Sequence, residues 1–142
     1  MNTTNDAIDI IWKKLNTTVK QQITGDVYKL NRRINSDKED IVINSLPISP
    51  DFPESCVVNV NIYVPNISVK IYGKVDNTMP DTLRLKQLTK LVRQQLESVS
   101  EAHYIYSYDG QAVIPSPETN EYYSNIRVYF VFAGEEAAMT EE

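Results

Sequence analysis

The segment from Pro80 to Ser100, PDTLRLKQLTKLVRQQLESVS, constrains the fold more than any other stretch. Leu85, Leu88, Leu91, Val92, Leu96 and Val99 recur at spacings of three and four, which places them on one stripe of an amphipathic helix. Arg84, Lys86, Lys90, Arg93, Gln94 and Glu97 fall mostly off that stripe. Asp81 or Thr82 can accept from the free amides of the first turn, and Pro80 is tolerated at a helix edge but not inside it. A helix with one apolar stripe needs an apolar partner. The segments on either side read as strands, so the expected arrangement is a sheet with this helix laid across it.

The rest of the chain is consistent with that arrangement. Asn5 or Asp6 is the expected cap of a first helix, with Ile8, Ile11, Trp12, Leu15 and Val19 at helical spacing to about Lys20. Trp12 is expected to pack into the core, and Gly25 suits a left-handed stop. Val27–Ile34 and Ile41–Leu46 read as strands joined in a hairpin through the polar turn Ser36–Asp40. Pro47, Pro50 and Pro53 exclude regular structure from Pro47 to Ser55. From Cys56 to Val64 the residues Cys56, Val58, Val60, Ile62 and Val64 point one way, and Val57, Asn59, Asn61 and Tyr63 the other. Pro65 to Met79 holds a short alternating run, SVKIYGKV, then the turn-like DNTMPD. This segment is either a β-arm or a long loop on a sheet edge. A short strand His103–Tyr108, a turn at Asp109-Gly110, a loop from Ile114 to Asn120 and a last strand Tyr122–Phe132 follow. The predicted core joins Leu88, Val92 and Leu96 to Val60, Ile62, Val128 and Phe130.

Composition narrows the function classes. A chain of 142 residues is one domain on size grounds and can bury a real core. Its formal net charge of −5 argues against a general nucleic-acid binder, which would show a basic face. No apolar run approaches the roughly 18 residues that a membrane span needs, and the N-terminus lacks the pattern of a secretory signal. Cys56 is the only cysteine, which rules out a disulfide within the chain and makes a reducing compartment the simpler setting. On its strand, Cys56 falls on the apolar face, as a small core residue rather than a reactive thiol.

No residue pattern points to catalysis. His103 is the only histidine; Glu101 lies near it, but no nucleophile does, so His103 reads as a polar boundary residue. One His and one Cys far apart do not make a zinc site, and Asp37, Glu39 and Asp40 read as a solvated turn rather than a calcium loop. The four glycines, Gly25, Gly73, Gly110 and Gly134, are unclustered, so no phosphate cradle exists. No cofactor and no metal are expected. Two basic groups stand out: Lys29, Arg32 and Arg33 with Lys38, and Lys86, Lys90 and Arg93 on the central helix. Each is either solvated surface or a contact for an acidic partner. Tyr104, Tyr106 and Tyr108 share one strand face, beneath a helix or at a subunit interface.

The order is helix, hairpin, long strand, long connection, amphipathic helix, then two strands. It carries GDVYKL after the first helix, PISPDFPESCVVNV into the long strand, DTLRLKQLTKLVRQQLE in the central helix and IRVYFVFA at the end. Over about residues 5 to 133 this resembles the tail-terminator or tail-completion family of tailed bacteriophages, the small head–tail joining proteins that form rings. The resemblance implies a non-enzymatic virion protein of the neck or tail top, made in the host cytoplasm. It also implies a homo-oligomeric ring with portal- or adaptor-side and tail-tube-side neighbours, and no sequence-specific nucleic acid. Segment 65–79 is longer than in compact members of that family.

The expectation is therefore one α+β domain over 1–134, a mostly antiparallel sheet packed by two helices, followed by a mobile acidic tail over 135–142. Expected interface residues are Pro47, Pro50, Phe52 and Pro53 in the proline-rich loop, Val69, Ile71 and Tyr72 in the arm, and Lys86, Lys90 and Arg93 on the helix. The alternative is a small cytoplasmic adaptor or ligand-binding module of the same shape.

Overall fold

The computed structural model describes residues 1–133; the expected acidic tail lies outside the described residues. Thr3 opens the first helix. Its hydroxyl accepts from the Asp6 amide at 3.3 Å, and the Asp6 carboxylate accepts from the Thr3 amide at 2.7 Å. This reciprocal cap starts helix α1 (Thr4–Thr18) ahead of the expected Asn5 or Asp6. Ala7, Ile8, Ile11 and Leu15 are its buried stripe. Trp12 is half-buried against the core and donates from Nε1 to the Val27 carbonyl at 2.9 Å. Asp81 caps helix α2 (Thr82–Leu96), accepting from the Arg84 amide at 3.1 Å, and Leu85, Leu88, Val92 and Leu96 are buried as the spacing predicts.

Strands β1 (Val27–Lys29), β2 (Asp40–Ser45), β3 (Ser55–Pro65), β6 (Ser98–Ser100), β7 (Tyr104–Ser116) and β8 (Glu121–Phe132) form one sheet in the order β1-β2-β3-β8-β7-β6. Every neighbouring pair is antiparallel except β1 with β2. Val58, Val60, Ile62, Ile126, Val128 and Phe130 project from the middle strands into one cluster with the buried stripes of both helices. The whole predicted core set is buried there. The fold is thus α+β with a mostly antiparallel sheet and two helices. Each fully buried aliphatic or aromatic side chain contributes roughly 1.5–3 kcal/mol relative to an exposed one.

The other face of the sheet is polar at its middle. Asn59 donates to Asn44 at 3.0 Å, and Asn125 donates to Asn61 at 2.7 Å and to Asn59 at 3.3 Å, a row of amides crossing β2, β3 and β8. Tyr63 and Tyr123 stack next to that row with ring centroids 4.8 Å apart.

Several local expectations fail, each for a tertiary reason. Residues 27–34 and 41–46 do not form a hairpin. β1 is three residues long and runs parallel to β2, and Leu30, with φ of 69°, turns the chain out of the strand. Of the carboxylates in that connection only Asp37 is solvated as expected; Glu39 and Asp40 are 9% and 1% exposed. Residues 98–100 pair with β7 instead of extending the helix. Asp109-Gly110 is a bulge rather than a turn: β7 runs through it, the register against β8 shifts there, and Gly110 takes φ of 135°. β7 also continues to Ser116 where a loop is expected, and His103 lies just before the strand.

Gly25 is not a left-handed stop, because the helix has already ended at Thr18. It is small because the chain passes close to residues 39 and 40. Its amide donates to the Glu39 carbonyl at 2.9 Å, and a Cβ there would overlap that carbonyl and the Asp40 carboxylate. Gly25→Ala is expected to lower stability by about 1–3 kcal/mol in a chemical denaturation titration, the usual cost of forcing an extra methyl into a filled site.

Candidate interaction surfaces

The alternating run after Pro65 forms its own small sheet, strands β4 (Ile67–Ile71) and β5 (Lys74–Met79). Tyr72 and Gly73, with φ of 52° and 78°, make the two-residue turn that suits a right-twisted hairpin. DNTMPD is therefore strand through Met79, not turn. The two strands pair only with each other, so their outer edges keep unpaired backbone groups. Ile71 is 49%, Val75 63% and Tyr72 fully exposed; Ile67, Val69 and Met79 are exposed as well. An exposed hairpin with this much apolar surface is marginal alone in water and is suited to burial against something else.

The proline-rich loop has no regular structure, as its prolines predict. Phe52 is 76% exposed, Pro47, Pro50 and Pro53 are exposed, and the Phe52–Pro53 peptide is cis. Glu54 at its end accepts from the Asn2 amide at 3.0 Å and side chain at 2.9 Å, tying it to the start of α1. The loop enters β3 at Ser55 and the hairpin leaves β3 at Pro65, so the two segments sit at opposite ends of an 11-residue strand. At about 3.3 Å per residue they are roughly 35 Å apart and do not form one patch.

Lys86, Lys90 and Arg93 line a groove of about 480 Å³ between α2 and β7. Leu85, Tyr108, Val113 and Tyr122 give it an apolar wall. Arg93 lies 4.1 Å over the Tyr108 ring and pairs with Glu97 at 3.5 Å. Ser124 beneath accepts from Thr89 at 2.7 Å and Gln111 at 2.9 Å. Tyr108 thus sits beneath α2 and Tyr106 is buried, which is the sheet-under-helix alternative for the tyrosine row. Burial pushes the Tyr106 hydroxyl up to about 12. It also pushes the Cys56 thiol upward, consistent with a core residue and not a reactive one.

The other basic group is mostly exposed, at Lys29, Arg33 and Lys38. Lys29 pairs with Asp9 at 2.8 Å and lies over Trp12. Arg32 is drawn inward: its guanidinium hydrogen-bonds Asp40 at 3.4 Å, pairs with Glu121 and lies 4.2 Å over the Tyr63 ring. Asp40 also accepts from Ser36 and, at 3.1 Å, from the Asp26 amide. Nearby, Arg84 clamps Glu39 through Nε at 2.6 Å and Nη2 at 3.0 Å and donates to the Gln22 carbonyl at 2.6 Å. The Glu39 hydrogen bond raises the Arg84 pKa further. Sequence reading misses both clusters, since their partners lie 89 and 45 positions apart and no local period marks them.

His103 is half-buried and its carbonyl accepts from the Ala133 amide at 2.8 Å. Among the described residues no group of three or more His, Cys, Asp or Glu is placed to hold a metal, and no helix is long and apolar enough to cross a membrane. No family model matches this chain, and no curated protein matches it.

Proposed function

We propose that this chain is a structural virion protein that forms a ring in the neck, or at the tail top, of a tailed bacteriophage, joining the portal side to the tail tube. The observation that carries the reading is the β4–β5 hairpin, which stands outside the main sheet with its apolar side chains exposed. A closed ring needs a heterologous contact, in which one patch of each copy meets a different patch of the next. A projecting arm with unpaired edges supplies one half of such a contact, and burial against a neighbour removes its exposed apolar area. The resemblance in element order to tail-terminator proteins points the same way. His103 has no assigned role in this reading.

A second reading, a small adaptor or ligand-binding module, draws on the groove beside α2, whose size and apolar wall suit a small molecule. Native mass spectrometry separates the two. The full chain is expected to give a closed oligomer. A variant with residues 67–79 replaced by a short turn is expected to keep a cooperative melt and to remain a monomer. A full chain that stays monomeric and takes up a small molecule in the groove supports the second reading and overturns the first.

A further inference from the structure

Two buried side-chain oxygens among the described residues lack a hydrogen-bond partner: Glu121 Oε2 and Asn66 Oδ1. Glu121 and Asn66 line the same cleft, about 470 Å³ in volume, at the root of the β4–β5 hairpin. Glu121 is 2% exposed, and Asn66 is held in place because its side-chain amide donates to the Asn77 carbonyl at 2.9 Å. The cleft is also lined by Asp37 and Glu118, which make no ion pair among the described residues. Behind its floor, Arg32 alone offsets Asp40 and Glu121, one positive charge against two buried negative ones. An uncompensated buried charge is costly. Two oxygens at the cleft lack a hydrogen-bond donor, and no lysine or arginine lines it.

A lysine ammonium supplies both a positive charge and donors, with three N–H groups and no acceptor. A metal ion fits less well, since the acidic groups are not placed to surround one. Lys70 and Lys74 flank the hairpin turn, exposed and without an ion pair among the described residues. They cannot serve their own cleft. The tip stands roughly 13 Å from the root along an extended strand, and a tight hairpin does not fold back on itself. A second copy, whose hairpin is free to approach from outside, can supply the lysine.

We propose that the hairpin tip of one copy docks at the hairpin root of the next, with Lys70 or Lys74 entering the cleft towards Glu121 and Asn66. Tip and root are different patches, so the contact is heterologous and each copy offers one of each. The proposal rests on the ring reading and names the surface that receives the arm.

The test uses two exposed charge reversals and sedimentation velocity. Lys70→Glu/Lys74→Glu spoils the tip and keeps the cleft; Asp37→Lys/Glu118→Lys spoils the cleft and keeps the tip. Each variant alone is expected to need at least about tenfold more protein to associate. An equimolar mixture is expected to recover association, because the intact tip of one variant meets the intact cleft of the other and the reversed tip meets a reversed cleft of opposite charge. If both variants associate like the unmodified chain, or the mixture stays monomeric, the docking is overturned while the ring reading stands. If the unmodified chain never associates, both fall. Unchanged melting shows that the variants fold; if a reversal melts early, Lys70→Gln/Lys74→Gln removes only exposed charge and carries the same expected loss.

Discussion

Arg32→Met lowers the unfolding free energy by about 3–5 kcal/mol, the cost of breaking a buried ion pair from one side. The side chain of Arg32 is 12% exposed, and those of Asp40 and Glu121 are 1% and 2% exposed. Methionine keeps much of the length and apolar stem of arginine and removes the charge. It leaves two carboxylates buried near each other with no counter-ion, and it takes the cation off the Tyr63 face. The measurement is a urea titration followed by circular dichroism. Adding Glu121→Gln to Arg32→Met is expected to recover part of the loss, since one of the stranded charges is then gone. A single-variant loss under about 1 kcal/mol would place the cluster among solvent-screened surface pairs.

Val92→Asp abolishes cooperative melting, or costs on the order of several kcal/mol where a transition remains. Val92 is fully buried on α2, within the cluster that joins both helices to the middle of the sheet. An aspartate there has no partner and puts a charged carboxylate where two methyl groups packed. Leu83, in the first turn of the same helix, is 63% exposed, so Leu83→Asp is expected to stay within about 0.5 kcal/mol of the parent. Near-UV circular dichroism read alongside the melt separates loss of packing from loss of the helix. Parity between the two variants would mean that the apolar stripe does not face the sheet.

Val92 and Ile62 were readable from sequence because each belongs to a local repeat, three-and-four spacing in one case and alternation in the other. Burial follows from such repeats without knowledge of the partner. Arg32 carries no such mark. Its surroundings, with Arg33 and Lys38 close by, resemble a solvated turn, and only the pairing of β3 with β8 brings Glu121 beside it. The parallel pairing of β1 was hidden for a related reason. A polar stretch between two apolar runs is the usual mark of a hairpin, and the positive φ at Leu30 is not a preference of leucine. Asp109-Gly110 has the right residues for a tight turn, but neighbouring β8 keeps the strand running and the glycine absorbs a bulge. Of the candidate surfaces, the hairpin was legible as an alternating run. The cleft at its root was not, because Asp37, Asn66 and Glu121 meet only after folding.

The placement of β8 between β3 and β7 sets the order in which this chain can be completed. β3 ends at Pro65, but its inner neighbour is not made until Phe132, so the most apolar strand waits with one edge open while more than half of the remaining chain is synthesised. During that wait the first helix can dock on a partial sheet of β1, β2 and β3, and the core stays unsealed. Pairings of such long sequence separation fold slowly, over milliseconds to seconds rather than microseconds. The vulnerable species is therefore the nascent chain with an unpaired β3 edge, not the finished protein, and chaperone protection before Phe132 emerges guards the step at which this fold is most easily lost to aggregation.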